Sequence, residues 1–354
     1  MQINVPDPIS QTIIFSLLLA AGILLLLKKS TAGTMTTTQT NQLKGLAILM
    51  VIFSHVGYFL STDTRFLYPL SVAGGVGVNL FLFLSGYGLT ISSIKNKLSI
   101  GSFYKKRLSR IFWPMWLVIS ILLLMDYFLL GINYPLISII QSYLGFFPDA
   151  QIFKVLNSPL WYFTLILFYY LIFPLVFLKS KPLISSTIIL VASFFLVNQN
   201  LPVDKDVLKL YKLHLLAFPL GMVFVSLLGW FANFKPNYAR YFKYPLIIIL
   251  TILIGFSAIN SHVGEGIIRE QLSSLVTMFS LTGLVLVLPI QSRVLILLGI
   301  YSYEIYLIQW PLMQRFDLLY KNMPAAFATI AYLILYVIIG LALHKVSSTY
   351  LKRA

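Results

Sequence analysis

Cysteine is absent from this 354-residue chain, and acidic residues are scarce, 10 against 26 Lys and Arg. The first absence excludes disulfides, thiolate metal sites, iron–sulfur clusters and a cysteine nucleophile. The second leaves a formal net charge of +16. Charge of either sign is rare as well: 10% of residues are charged while 59% are hydrophobic, and the mean hydropathy of +0.89 lies far above the soluble range. Those values belong to a polytopic membrane protein. A basic excess also suits nucleic acid, but the cations sit in short clusters between apolar runs, as in loops that face cytoplasmic lipid. There is no tandem repeat, no low-complexity tract and no soluble domain.

Apolar stretches of roughly the 17–25 residues a helix needs to cross a bilayer fall at 9–27, 44–60, 75–94, 112–131, 159–178, 183–199, 211–231, 244–260, 271–290, 294–313 and 325–344. The first has Asp7 before it and Lys28-Lys29 after it, the reverse of a secretory signal, and reads as a retained span. The expected fold is therefore an all-α integral-membrane bundle of about 11 transmembrane helices. If the N-terminus is outside, inner loops and ends collect Lys28, Lys29, Lys44, Lys95, Lys97, Lys105, Lys106, Arg107, Arg110, Lys179, Lys181, Lys235, Arg240, Lys243, Arg293, Lys345, Lys352 and Arg353. Outer loops then collect Asp7, Asp63, Asp149, Asp204, Asp206, Glu265, Glu270 and Asp317, with Asp126 near an outer helix end. The positive-inside rule gives N-terminus outside and C-terminus cytoplasmic. Trp113, Trp116, Trp161 and Trp230 stand at span ends as interfacial anchors should. The connection 132–158, rich in proline and aromatics, could cover an outward-facing site.

Few polar groups interrupt the apolar runs. His55 follows Lys44 by eleven residues in "LKGLAILMVIFSHVGYF", close to three helical turns, so both lie on one side of the helix about 16 Å apart. A buried neutral imidazole can accept a proton or can merely hydrogen-bond a neighbouring helix. Glu304, in "YSYEIYLIQWP", is the one acid the spans place deep in the bilayer, where it has to be paired, protonated or facing a wet cavity. Pairing with His55 or a substrate hydroxyl makes it functional; bonding to a Tyr or Ser makes it structural. Arg107 and Arg110 in "SFYKKRLSRIFWP" share a helix face. Their forks suit a polyphosphate, and a basic cluster followed by tryptophans also suits a plain inner anchor. The glycines of "GGVGVNLFLFLSGYGL", with Asn79 and Ser85, read as close helix packing or as a break lining a cavity. His214, His262 and His344 fall at helix ends or in loops, as solvated or interfacial side chains.

The order of these pieces carries more than each alone. "LKGLAILMVIFSH", "GVGVNLFLFLSGYGL", "FYKKRLSRIFWP", "LWYFTLILFYYLIFP" and "LGIYSYEIYLIQWP" together resemble the membrane-bound acyltransferase 3 family, O-acyltransferases of bacterial surface glycans. The resemblance covers most of 43–313. It implies a family-like core of ten spans in a membrane acyltransferase domain at 44–354, with residues 1–43 as an added N-terminal span and linker. It also implies that His55 is the family's essential histidine and that Arg107 and Arg110 form its Arg-x-x-Arg motif for the acyl-coenzyme A donor. The chain departs from the pattern at Lys44 for arginine, Ile166 and Leu167 for acids, Gln309 for a second histidine and Asn79 for an acid.

The expected function is O-acyl transfer, acetyl foremost, from cytosolic acyl-CoA to a hydroxyl of an extracytoplasmic polysaccharide or glycolipid at the cell membrane. His55 would act as general base or, on a second route, as the acylated nucleophile. Lys44, Arg107 and Arg110 would bind the donor, and Glu304 would be catalytic beside His55. Asn79, Ser85, Ser302, Tyr303 and Gln309 would line the site or meet the acceptor. No metal or permanently bound cofactor is implied; acetyl-CoA is a co-substrate. The competing expectation is an exporter of a glycan or lipid-linked intermediate that uses His55 and Glu304 as a proton relay.

Overall fold

A computed structural model describes residues 2–29, 35–61, 64–96, 98–151, 155–232 and 237–353. Lys97, Lys235 and Asp63 lie outside the described residues, and nothing is described of the side chains of Trp230, Arg240, Lys352 and Arg353. The helices are α1 Pro8–Leu25, α2 Thr37–Phe59, α3 Gly74–Lys95, α4 Ile100–Leu130, α5 Leu136–Leu144, α6 Trp161–Val176, α7 Pro182–Val197, α8 Lys205–His214, α9 Ala217–Ala232, α10 Asn237–Ile259, α11 Ile267–Val287, α12 Arg293–Ile300, α13 Ser302–Gln314 and α14 Ala325–Arg353. Two three-residue strands, β1 Leu27–Lys29 and β2 Ile290–Ser292, pair antiparallel.

Among the described residues nine helices are long and apolar enough to cross a membrane, or ten if the pair α12 and α13, bent by 79°, counts as one. The expected all-helical bundle is present with about nine such helices: the stretch 294–313 is broken near Tyr301, and 183–199 forms the shorter apolar helix α7 of 16 residues, while α6 and α9 reach span length together with Ser158–Leu160 and α8 respectively. Large apolar side chains on the outside, such as Leu17 at 66%, Phe128 at 74% and Ile252 at 62% exposed, form the belt that lipid would cover.

Local sequence explains where the elements begin and end. Asp7 caps α1 by accepting from the Ser10 amide, the Ser10 hydroxyl and then that amide hold its carboxyl below the ordinary value, and Pro8 occupies the first turn. Thr36 and Gln39 close a capping box on α2. Gly131 at φ 67° and Gly145 at φ 77° end α4 and α5 in the left-handed region.

The centre of the bundle is α2 with α3, whose apolar windows are each 61% buried, whereas α10 is 6% buried and peripheral. Two crossings there depend on glycine. A Cβ on Gly299 would stand 1.7 Å from the Asn41 carbonyl oxygen, so α12 lies directly on the backbone of α2. A Cβ on Gly86 would stand 2.2 Å from the Phe218 oxygen, and one on Gly221 2.0 Å from the Phe83 oxygen, which brings α3 and α9 into backbone contact. Close packing is therefore what Gly77 and Gly86 of α3 do, while a Cβ on Gly88 would meet nothing within 4 Å.

The first helix is stitched to this core at both ends. Ile3 exchanges backbone hydrogen bonds with Phe59 and Ser61, Gln11 Oε1 accepts from the Ala326 amide, and Arg293 N donates to the Leu26 carbonyl. Between them Phe15, fully buried, meets Phe53 edge to face at 5.1 Å.

Candidate active site

A cavity of about 940 Å³ opens between α2, α3, α4, α6, α13 and α14. Lys44, Lys105, Lys106, Arg107 and Arg110 line it together with Ser85, Ser302, Tyr303, Glu304 and His344. The cations come from the start of α2 and the first turns of α4, so the mouth of the cavity is at the lysine- and arginine-rich end of the bundle. Seven sequence-selected residues, Lys44, Ser85, Arg107, Arg110, Ser302, Tyr303 and Glu304, share this one cavity. His55, Asn79 and Gln309 do not line it.

His55 stands just beyond. Val51, one turn earlier on α2, lines the cavity, as does Tyr306 of α13. The side-chain amide of Gln309 lies against His55 Nδ1, with Oε1 at 2.9 Å and Nε2 at 2.7 Å. With Oε1 toward the ring, Nδ1–H donates to Gln309 and Nε2 keeps its lone pair. No hydrogen-bond partner of Nε2 occurs among the described residues. Trp310, 1% exposed, meets the imidazole edge to face at 4.9 Å.

Glu304 lies elsewhere than expected. Its Oε1 accepts from His344 Nδ1 at 2.7 Å, and neither carboxylate oxygen bonds to His55. His344 thus lines the cavity while its side chain stays 47% exposed, so it is both solvated, as expected, and a partner of Glu304. Tyr303 donates to the Ile111 carbonyl at 2.5 Å, tying α13 to α4, and Ser302 donates to the Gly299 carbonyl at the break. The partner of His55 is Gln309, which the spacing did not single out as such because residues 254 apart meet only in the fold.

Asn79 and His214 form a second buried polar group. His214, 1% exposed, bonds through Nδ1 to Asn79 Oδ1 at 2.8 Å, and Asn79 Nδ2 donates to Ser274 Oγ at 2.8 Å. Trp161 stacks on His214 at 5.7 Å and 15°. The interfacial reading of His214 and the anchor reading of Trp161 give way to a packed junction of α3, α6, α8 and α11. Asn79 satisfies its neighbours there, and its side chain does not line the cavity.

Away from the basic end, Asp126, fully buried, is paired with Arg315 Nε at 3.0 Å and accepts from Tyr134 at 2.8 Å. Burial holds the Tyr134 phenol above its ordinary range, so it stays a donor. Arg315 also donates to the Leu156 carbonyl at 2.8 Å, and Asn157 Nδ2 donates to Leu307 O at 2.9 Å. These contacts lash the segment before α6 to α13. Asp126, expected near an outer helix end, is an ion-pair partner buried inside the protein.

The acyltransferase domain of the acyltransferase 3 family matches residues 39–344. The chain belongs to this family. The matched range runs from the first turn of α2 to His344 in α14, holds the cavity wall except Ser347 and Ser348 together with the His55–Gln309 pair, and leaves α1 before it. No curated protein and no solved structure matches the chain. Among many apolar helices, this acyltransferase gathers a cluster of cations with Glu304 in one internal cavity and pairs other buried polar groups with one another.

Proposed function

We propose that this membrane acyltransferase moves an acyl group, acetyl first among candidates, from cytosolic acyl-CoA to a hydroxyl of a polysaccharide or glycolipid on the other side of the membrane. The observation that carries the reading is the succession of a cation-lined cavity and, one helical turn past its Val51 wall, a histidine with one nitrogen fixed by Gln309 and the other unbonded. The charge balance supports placing the cations, and the C-terminus, on the cytosolic side, where coenzyme A is found. Arg107 and Arg110 suit donor phosphates through bidentate contacts, with Lys44 adding charge at the mouth.

In this reading the acceptor hydroxyl gives its proton to His55 Nε2 while its oxygen attacks the thioester carbonyl carbon. The carbon–sulfur bond then breaks, and the coenzyme A thiolate leaves and recovers the proton from the imidazolium. Gln309 holds the ring and stabilises its charged form by accepting from Nδ1–H. Ser302 and Tyr303, bonded to backbone carbonyls, shape the wall and leave the proton to His55. The relay of the exporter alternative loses its direct link, since His55 and Glu304 each bond to a different residue.

Purified protein given labelled acetyl-CoA and a membrane glycan fraction tests the proposal. Transfer of label is expected from the wild type and not from His55→Ala. Equal ester-linked acetate in wild-type and His55→Ala cells, at equal expression, would sink the assignment of His55.

A further inference from the structure

Glu304 is the one carboxylate lining the cavity among its described residues, and it stands against a wall of cations. A negative group in a phosphate site opposes the ligand's charge unless it meets a neutral stretch of the ligand that offers N–H donors. The Glu304–His344 pair leaves such an acceptor. Oε1 takes the hydrogen bond from His344 Nδ1 at 2.7 Å, and Oε2 has no partner among the described residues. With Glu304 only 5% exposed, that oxygen is held in place beside the cavity.

Depth along the helices says which stretch of a ligand it would meet. Asn41 of α2 meets Gly299 just before α13, while His55 and Phe59 meet Gln309 and Trp310 further on, so α2 and α13 advance together. Lys44 precedes His55 by eleven residues and Glu304 precedes Gln309 by five, which are roughly 16 and 7.5 Å of helical rise. Glu304 thus stands about midway in depth between Lys44 and the histidine. On antiparallel α14 the order agrees: Tyr336 donates to the Gln309 carbonyl, and His344 lies two turns nearer the basic mouth.

In an acyl-CoA with its phosphates at the cations and its thioester at His55, the part at mid-depth is the pantetheine arm, a neutral chain bearing amide N–H groups. We infer that Glu304, held by His344, is the acceptor for a pantetheine amide N–H and so sets the register of the thioester against His55. The inference rests on the acyl-CoA reading above. It makes Glu304 a donor-binding residue, and His344 the residue that positions it.

The test compares three ligands on the purified full-length protein: coenzyme A, an analogue whose pantetheine amide nitrogens are replaced by ester oxygens, and adenosine 3′,5′-bisphosphate, which lacks the arm. The wild type is expected to prefer coenzyme A over the ester analogue by roughly ten-fold or more, the scale of one hydrogen bond to a charged group. Glu304→Gln should narrow that preference, Glu304→Leu should abolish it, and both should bind the bisphosphate at least as tightly as the wild type does. Arg107→Ala should weaken coenzyme A and the bisphosphate alike. A wild type that binds coenzyme A and the ester analogue equally overturns the inference, as does a Glu304→Gln protein that keeps the full preference. Should Glu304→Leu not fold, the wild type and Glu304→Gln decide. A wild type that binds neither coenzyme A nor the bisphosphate overturns the acyl-CoA reading itself, and the inference falls with it.

Discussion

Replacing Gln309 with leucine removes the side chain that touches His55 Nδ1 and leaves nearly the same volume. Gln309 is fully buried, so in Gln309→Leu the Nδ1–H has no acceptor and no water to replace it. A hydrogen bond to a group that becomes charged contributes about 1.5–3 kcal/mol. Imidazolium forms only as the acceptor proton is taken, so the loss falls on the transition state. At 1.36 kcal/mol per decade that is a fall in kcat of roughly 10- to 150-fold. The donor KM should hold, because Gln309 does not line the cavity. Gln309→Glu keeps an oxygen at Nδ1 and should retain most of the activity. The assay is thiol release from acetyl-CoA in the presence of acceptor, with a melting temperature in detergent as the control for folding. A folded Gln309→Leu protein with wild-type kcat, or with a defect confined to donor KM, would refute the role given to Gln309.

Three further outcomes are expected. Arg107→Ala and Arg110→Ala should each weaken coenzyme A binding by roughly ten-fold or more, at the scale of charge-assisted hydrogen bonds, with kcat at saturating donor preserved; unaltered affinity would make them anchors. Gly299→Leu should abolish folded protein, measured as monodisperse yield in detergent, since its Cβ would meet the Asn41 carbonyl at 1.7 Å; a normal yield would contradict the backbone contact of α12 and α2. Arg315→Met should cost about 3–5 kcal/mol by leaving Asp126 buried and unpaired. Adding Asp126→Leu should recover much of that in thermal unfolding, and a double variant no more stable than Arg315→Met would count against the pair.

The sequence pattern located most of the apolar helices, because lipid exposure demands long continuous runs that are visible in one dimension. It also gathered Lys44, Ser85, Arg107, Arg110, Ser302, Tyr303 and Glu304, which share a cavity. What it missed are pairings across the bundle. Glu304 and His344 are 40 residues apart, and His214 and Asn79 are 135 apart. His214 looks interfacial until Asn79 and Trp161 are in place around it. The break at Tyr301 was hidden for a related reason: 294–313 is apolar enough on average to read as one span despite Glu304 and Gln309, and Gly299 lets α12 lie across α2. Trp310 gave no signal beyond being one more aromatic, yet it packs on the His55 ring.

The stitching of α1 has a consequence for the order of assembly during synthesis. β1 at Leu27–Lys29 waits for β2 at Ile290–Ser292, and Gln11 waits for Ala326. At about 5–20 residues per second the interval from Leu27 to Ile290 lasts roughly 13–50 s. Through that time α1, with a single fully buried aromatic, Phe15, and a lipid-ready surface such as Leu17 and Leu25, can rest in the bilayer without its final partners. Ile3 can join Phe59 and Ser61 early, but the clasps of Gln11 on Ala326 and of Leu26–Lys29 on Ile290–Arg293 close only when nearly the whole chain has been made.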